Sequence, residues 1–258
     1  ISTLSRLKSE LKLEIRPGDL NKARSIEDFV ILLAARLGNH DQNPSTQVRG
    51  NCAVMREGHA GVLPLFFVHP GNDGALNYLD MANAFGDDIP LYVMLPDLNE
   101  DHHPRTLNSV VDLLVNDIRA EQPHGPYMLA GWSLGATLAV LVANQLVHQG
   151  EEIKFVSVVD APCLLGSSVS AQTLQYSIEQ ITAHQAMMSK QRAVRYKAEL
   201  FELYSQALQS KPMSLTYELR HFQTGPTHEN LIANAAAGEW NKLTSRKIHS
   251  QTIPGDHL

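Results

Sequence analysis

Ser133 stands between two glycines in Gly131-Trp132-Ser133-Leu134-Gly135, with the apolar run 127–130 before it and an Ala-rich stretch, 136–149, after it. A serine hydroxyl is inert at neutral pH, so chemistry here needs a base to take its proton and an acid to orient that base. The surrounding residues suit a strand-to-helix elbow. The flanking glycines answer a turn too tight for side chains, and Ala136 and Ala139 allow the helix to pack closely. That helix aims its N-terminus at the serine oxygen, where a developing anion is stabilised. The chemistry of such a site is nucleophilic acyl transfer. The same spacing serving structure alone would be a glycine-rich strand–helix turn.

In an elbow of this kind the partners follow in the order serine, acid, histidine. Asp160 ends the next apolar run, 155–159, and side chains at strand ends on that edge of a parallel sheet converge on a shared crevice. Its alternative role is to cap a turn before Pro162. His257, in Ile253-Pro254-Gly255-Asp256-His257, sits in a turn after the last apolar segment and is the assigned base. His184, His221, His228 and His249 also lie downstream, in less turn-like settings. His69-Pro70-Gly71 closes the first apolar run, 63–68, so the backbone N–H groups of Gly71 and Leu134 are the expected oxyanion donors. His69 precedes the serine and reads as a structural side chain beneath the site. His102-His103 has no third ligand at useful spacing, so no metal is expected.

The elements that must position these residues can be read from periodicity. Runs at 63–68, 91–95, 127–130 and 155–159 read as buried strands, and 107–118 is an amphipathic helix between the second and third. Strands alternating with helices predict an α/β domain with a mostly parallel sheet covered on both faces. Residues 171–208 read as helices carrying Ile178, Ile181, Met187, Met188, Tyr196, Leu200 and Leu203. Beyond them only Leu231-Ile232-Ala233 offers a further strand.

Residues 1–37 read as a separate, all-helical piece. Ile1, Leu4, Leu7 and Leu11 share one helix face, Pro17-Gly18 breaks the chain, and Ser25 with Asp28 caps a second helix through Leu37. That helix carries Ile26, Phe29, Val30, Leu33 and Leu37, a stripe that needs a partner to cover it. Residues 38–51 (GNHDQNPSTQVRGN) are polar and turn-rich and read as a linker.

Bulk properties exclude several function classes. The 258 residues are 43% hydrophobic and 19% charged, with net charge −6, so a basic nucleic-acid footprint is not expected. No apolar run approaches the ~20 residues of a membrane span. Two cysteines, Cys52 and Cys163, are too few for a disulfide framework and read as buried small hydrophobes in a reducing, cytoplasmic setting. The opening has no signal-peptide core and no initiator Met, as expected of an internal fragment or a processed chain.

HPGNDG, EQPHGPYMLAGWSLGATLA, VVDAP and IPGDHL, in that order, resemble the C-terminal releasing thioesterase domains of nonribosomal peptide and polyketide synthetases. The resemblance covers residues 52–258; Ala136 stands where a second glycine is usual. It implies an α/β-hydrolase fold with a helical lid at about 163–228. Ser133 would be the acylated nucleophile, Asp160 the orienting acid, His257 the base, and Gly71 and Leu134 the oxyanion donors. Residues 1–37 resemble the back part of a peptidyl- or acyl-carrier domain, whose phosphopantetheine-bearing serine would lie just before Ile1. The implied partners are that carrier, loaded with an acyl chain on its 4′-phosphopantetheine, and upstream synthetase modules. The thioesterase itself would need no cofactor. A stand-alone lipase or carboxylesterase shares the triad, and a non-catalytic carrier-docking module shares the fold; an editing thioesterase is a nearer neighbour, usually a separate polypeptide.

Overall fold

The computed structural model describes residues 47–49, 51–69, 78–84, 88–95, 106–166, 169–183, 190–211, 213–224, 237–246 and 248–253. The helical piece read at 1–37 and most of the linker read at 38–51 lie outside them. The described residues form an eight-stranded sheet. Its strands are β1 (Gln47–Arg49), β2 (Cys52–Arg56), β3 (Leu65–Val68), β4 (Leu91–Met94), β5 (Tyr127–Trp132), β6 (Ile153–Val159), β7 (Glu218–Thr224) and β8 (His249–Ile253). The order across the sheet is β1-β2-β4-β3-β5-β6-β7-β8. β1 and β2 run antiparallel to their neighbours, and all pairings from β4 to β8 are parallel.

Helices α1 (Leu79–Ala84), α2 (Leu107–Glu121) and α3 (Leu134–His148) connect the central strands. From β3 the chain crosses by α1 to β4 on one side, then returns by α2 to β5 on the other and continues outward. Right-handed crossovers in opposite directions place their helices on opposite faces. The packing agrees. Phe66 and Val68 join α2 and α3 in one apolar cluster, whereas Leu65 and Phe67 pack with Tyr78 and Ala82 at α1 in another. The period-two alternation of a strand thus sorts one four-residue run between two cores. The reversal of direction falls between β3 and β5, so the crevice at their C-terminal ends is the natural place for a ligand.

α2 begins where the Thr106 side chain accepts from Ser109 N at 3.1 Å, and it buries Val110, Val111, Leu114, Val115 and Ile118. α3 is apolar nearly all round because it lies under α2 and over β5 and β6, and Tyr217 donates to the Val140 carbonyl from its flank at 3.2 Å. Between β6 and β7 the chain leaves the sheet as α4 (Ala171–Ala183) and α5 (Lys190–Gln209), which return Leu174, Ile178, Tyr196, Leu200, Leu203 and Ala207 to the larger core.

The edges depart from the sequence expectation. Gln47–Arg49, inside the segment read as linker, pair with β2 as an edge strand. β7 begins at Glu218, inside the interval 163–228 expected to be lid, so the helical insertion has ended by then. Neither β7 nor β8 has an apolar run to announce it. β7 seats its polar residues locally: Arg220 lies 3.9 Å over the Phe155 ring and donates to Glu218 at 2.7 Å. β8 is an exposed edge. The strand expected at Leu231-Ile232-Ala233 lies outside the described residues.

The corner before β5 is held by one carboxylate. Glu151 accepts from Gly125 N at 2.9 Å and from Arg119 at 2.8 Å, with His124 at 3.3 Å. The Gly125 amide, with help from His124 and Arg119, holds the Glu151 carboxyl below its ordinary range. A depressed carboxyl stabilises the fold above its unfolded pKa and loses that contribution as pH falls through the folded value. Glu151→Ala should therefore unfold at a lower temperature than the parent at neutral pH, with the gap narrowing as the solution is acidified through the carboxylate range. Thermal unfolding across that range checks it, and a gap that stays constant would refute the linkage.

Candidate active site

The elbow between β5 and α3 is shaped by backbone crowding. A Cβ on Gly131 would lie 2.2 Å from the Gly135 carbonyl oxygen, and one on Gly135 would lie 2.2 Å from the Val68 carbonyl oxygen at the end of β3. Between them Ser133 takes φ 54°, ψ −127°, a conformation that L residues rarely adopt and that costs about 1–3 kcal/mol. Its amide donates to the Val159 carbonyl at 3.2 Å, and its own carbonyl accepts from Ala136 at 3.1 Å. Ser133 makes no side-chain cap to its helix, so its oxygen is left for other partners. Ala136 and Ala139 are fully buried, as close packing of the helix requires.

Asp160 lies next to the elbow because β6 pairs with β5, and the Ser133–Val159 bond locks the two strand ends together. It too has a positive φ, 42°, and is 3% exposed. One carboxylate oxygen accepts from the Thr224 hydroxyl at 2.6 Å and from the Thr224 amide at 3.0 Å. The Asp160 amide donates to the Phe222 carbonyl at 2.7 Å, and the next carbonyl, of Ala161, accepts from the Trp240 indole at 2.9 Å. A buried carboxylate that accepts two hydrogen bonds from one neighbouring residue, on a backbone anchored at both its amide and the next carbonyl, is held in direction. The turn-capping alternative is set against these contacts: the partners of its side chain come from the neighbouring strand.

Two further side chains face this region. His221 on β7 is buried, and its Nε2 has no hydrogen-bond partner among the described residues. Burial pushes its pKa down, while the nearby Asp160 charge pulls the other way. Tyr204 on α5 is 2% exposed, with its hydroxyl 3.3 Å from Ser133 Oγ. Burial pushes the phenol up, against hydrogen bonds with Ser133 and the Leu134 amide.

The structure thus brings together Ser133, Leu134 and Asp160. His257 and Gly71 lie outside the described residues, as do His102, His103, His184 and His228. His249 opens the exposed strand β8. His69 is buried at the end of β3, edge-on to Tyr78 at 5.2 Å, and burial lowers its pKa to about 3, so the ring is neutral. Sequence reasoning missed Tyr204 and Thr224. Tyr204 continues the Tyr196–Leu200 spacing, and a tyrosine on an apolar stripe carries a polar tip that must find a partner. Thr224 sits in a strand that the sequence does not announce.

Several comparisons place this geometry among known proteins. A family model described as the thioesterase domain matches residues 63–258. The chain is 28% identical over 179 residues to a non-reducing polyketide synthase of Pseudevernia furfuracea, covering 63% of this chain and 8% of that protein. It is 30% identical over 163 residues to a dimodular nonribosomal peptide synthase of Bacillus subtilis, covering 62% and 6%. It therefore spans only a small part of the length of these relatives. Among solved structures, the NocB thioesterase domain in covalent complex with a fluorophosphonate nocardicin G analog matches with a TM-score of 0.62 at 26% identity, covering 77% of this chain and 87% of that one.

The crowding at the elbow generates a paired test. Gly135→Ala drives a Cβ into fixed backbone and should cost on the order of 3 kcal/mol or more in urea unfolding. Ala136→Gly, one residue on, removes a methyl from a helix start and should cost only about 1 kcal/mol. Equal losses would mean that the approach of β3 to the elbow is not the governing constraint.

Proposed function

The chain belongs to the thioesterase domain family, and on that premise we propose that it releases a carrier-bound acyl or peptidyl chain from an assembly-line synthetase through an acyl-Ser133 ester. His257 takes the Ser133 proton and Ser133 Oγ attacks the thioester carbonyl. The N–H groups of Gly71 and Leu134 hold the oxyanion. The tetrahedral intermediate collapses, the C–S bond breaks, and the thiol leaves with the proton from His257. Water or a nucleophile within the bound chain then attacks the ester, giving a free acid or a ring. Asp160 stays ionised throughout and orients and stabilises the imidazolium.

The observation that carries this reading is the setting of Ser133. It is a strained, side-chain-uncapped serine at the N-terminus of α3, hydrogen-bonded through its backbone to the strand that ends in a buried, multiply held aspartate. The two synthase relatives support a carrier domain as partner and upstream modules as neighbours. The acyl chain would arrive on the 4′-phosphopantetheine arm of that carrier; no residue of this chain is assigned to hold the arm, and the thioester is substrate here. We assign residues 1–37 to the tail of that carrier, 38–51 to the linker with its last residues drawn into β1, and 52–258 to the thioesterase domain. Cys52 and Cys163 are both buried, which supports reading them as small hydrophobes in a reducing, cytoplasmic setting. No described helix is long and apolar enough to cross a membrane.

Intact-protein mass spectrometry after brief exposure to acyl-N-acetylcysteamine thioesters tests the covalent step. The parent should gain the acyl mass, and Ser133→Ala should gain none and turn over at least about a thousandfold more slowly. An adduct that persists on Ser133→Ala would overturn the assignment. Thr224→Val, which removes one of the bonds that aim Asp160, should lower kcat by about tenfold with KM little changed. Steady-state kinetics on the same thioesters reads this, and an unchanged kcat would show that Asp160 does not depend on the Thr224 hydroxyl.

A further inference from the structure

Among the described residues, the helical insertion brings the Tyr204 hydroxyl to the side chain of Ser133. The Tyr204 hydroxyl lies 3.3 Å from Ser133 Oγ, on the side of the Leu134 backbone amide. On the reading of Ser133 as nucleophile, on which this inference rests, these are the two groups that acyl transfer must use. One is the attacking atom and the other an amide that receives the anion. A thioester poised for attack would bring its carbonyl carbon to about 3–3.5 Å from Ser133 Oγ. Its oxygen would come within about 3 Å of Leu134 N. The Tyr204 oxygen already stands at that distance from Ser133 Oγ, and a substrate carbonyl cannot occupy the same space.

We propose that Tyr204 is a gate: its hydroxyl stands in for the substrate carbonyl on Ser133 and Leu134, and a thioester reacts only after the side chain has left them. The chemistry of the group fits. A neutral phenol donates one hydrogen and accepts another, so it can serve both the serine oxygen and a backbone amide where all three residues are buried. It lacks an electrophilic carbon, so it can occupy the site without reacting. The residues around it hold the gate in place. Leu203 and Ala207 are buried in the core, and Gln206 accepts from Leu107 N at 2.7 Å, tying this turn of α5 to the start of α2. Leaving therefore means rotation of the Tyr204 side chain or lifting of α5 against that tie.

Tyr204→Phe keeps the ring in the core and removes only the stand-in oxygen. The test is the rate at which a small alkyl fluorophosphonate labels Ser133 in the parent, Tyr204→Phe and Ser133→Ala, with thioester kcat and KM measured alongside. The gate predicts labelling about five- to tenfold faster in Tyr204→Phe, a lower KM with kcat retained or raised, and no labelling of Ser133→Ala. Labelling of Tyr204→Phe at the parental rate, or more slowly, overturns the gate while leaving Ser133 as nucleophile; the slower case would make the hydroxyl a helper in the reaction. A parent that does not label at all overturns both readings.

Discussion

The glycines of the elbow let three pieces of backbone meet at distances that no side chain would permit. Gly135 sits against the carbonyl that ends β3, and Gly131 against the carbonyl of Gly135 itself. With both flanks that close, the residue between them cannot relax into an ordinary conformation, and Ser133 is forced to a positive φ. The strain has a geometric product. It lifts the side chain off the helix it would otherwise cap, so the hydroxyl is not consumed by the local backbone. The same closeness sets the end of β3 beside the start of α3, where an anion would find the amide of Leu134. The serine hydroxyl and the Leu134 amide are therefore positioned by one packing event.

That event is stable because of what surrounds it. Parallel strands are buried on both faces, and here β3 and β5 divide their side chains between two apolar clusters. α3, enclosed on nearly every side, cannot slide to relieve the elbow. The reversal of winding direction between β3 and β5 opens the crevice, and β6 delivers Asp160 to its rim. β7 then fixes the aspartate through Thr224, a strand further out. Each element outward from the elbow thus constrains the one within it.

What could be read from the sequence tracks how hydrophobic each element is. β3 to β6, α2 and α3 are written in apolar runs or a clean helical period, and their sequence-based bounds agree with the structure to within a few residues. Ser133 and Asp160 could be found because each follows such a run. β7 and β8 face solvent or hold their polar residues by an ion pair and a cation–π contact, so composition alone reads them as loop or lid. β1 is a single valine between two polar residues, made into strand by a neighbour's free edge, a tertiary effect that no local pattern encodes. Thr224 and Tyr204 were illegible for a related reason: their partners are distant in the chain and meet only once the sheet is assembled.

The most distinctive stretch of the sequence, Gln122 to Tyr127, does its work away from the chemistry. Gln122 donates to the carbonyls of His124 and Pro126, Tyr127 returns a bond to the Gln122 carbonyl, and Glu151 gathers Gly125, His124 and Arg119. A Cβ on Gly125 would lie 2.6 Å from the Glu152 carbonyl, so this turn is as crowded as the elbow. It stands at the opposite end of β5 from Ser133. A strand held rigidly at its start delivers its last residue to a defined place, and β5 has only six residues over which to lose register. The two tight corners therefore act as a pair: one sets where β5 begins, the other converts where it ends into a strained serine.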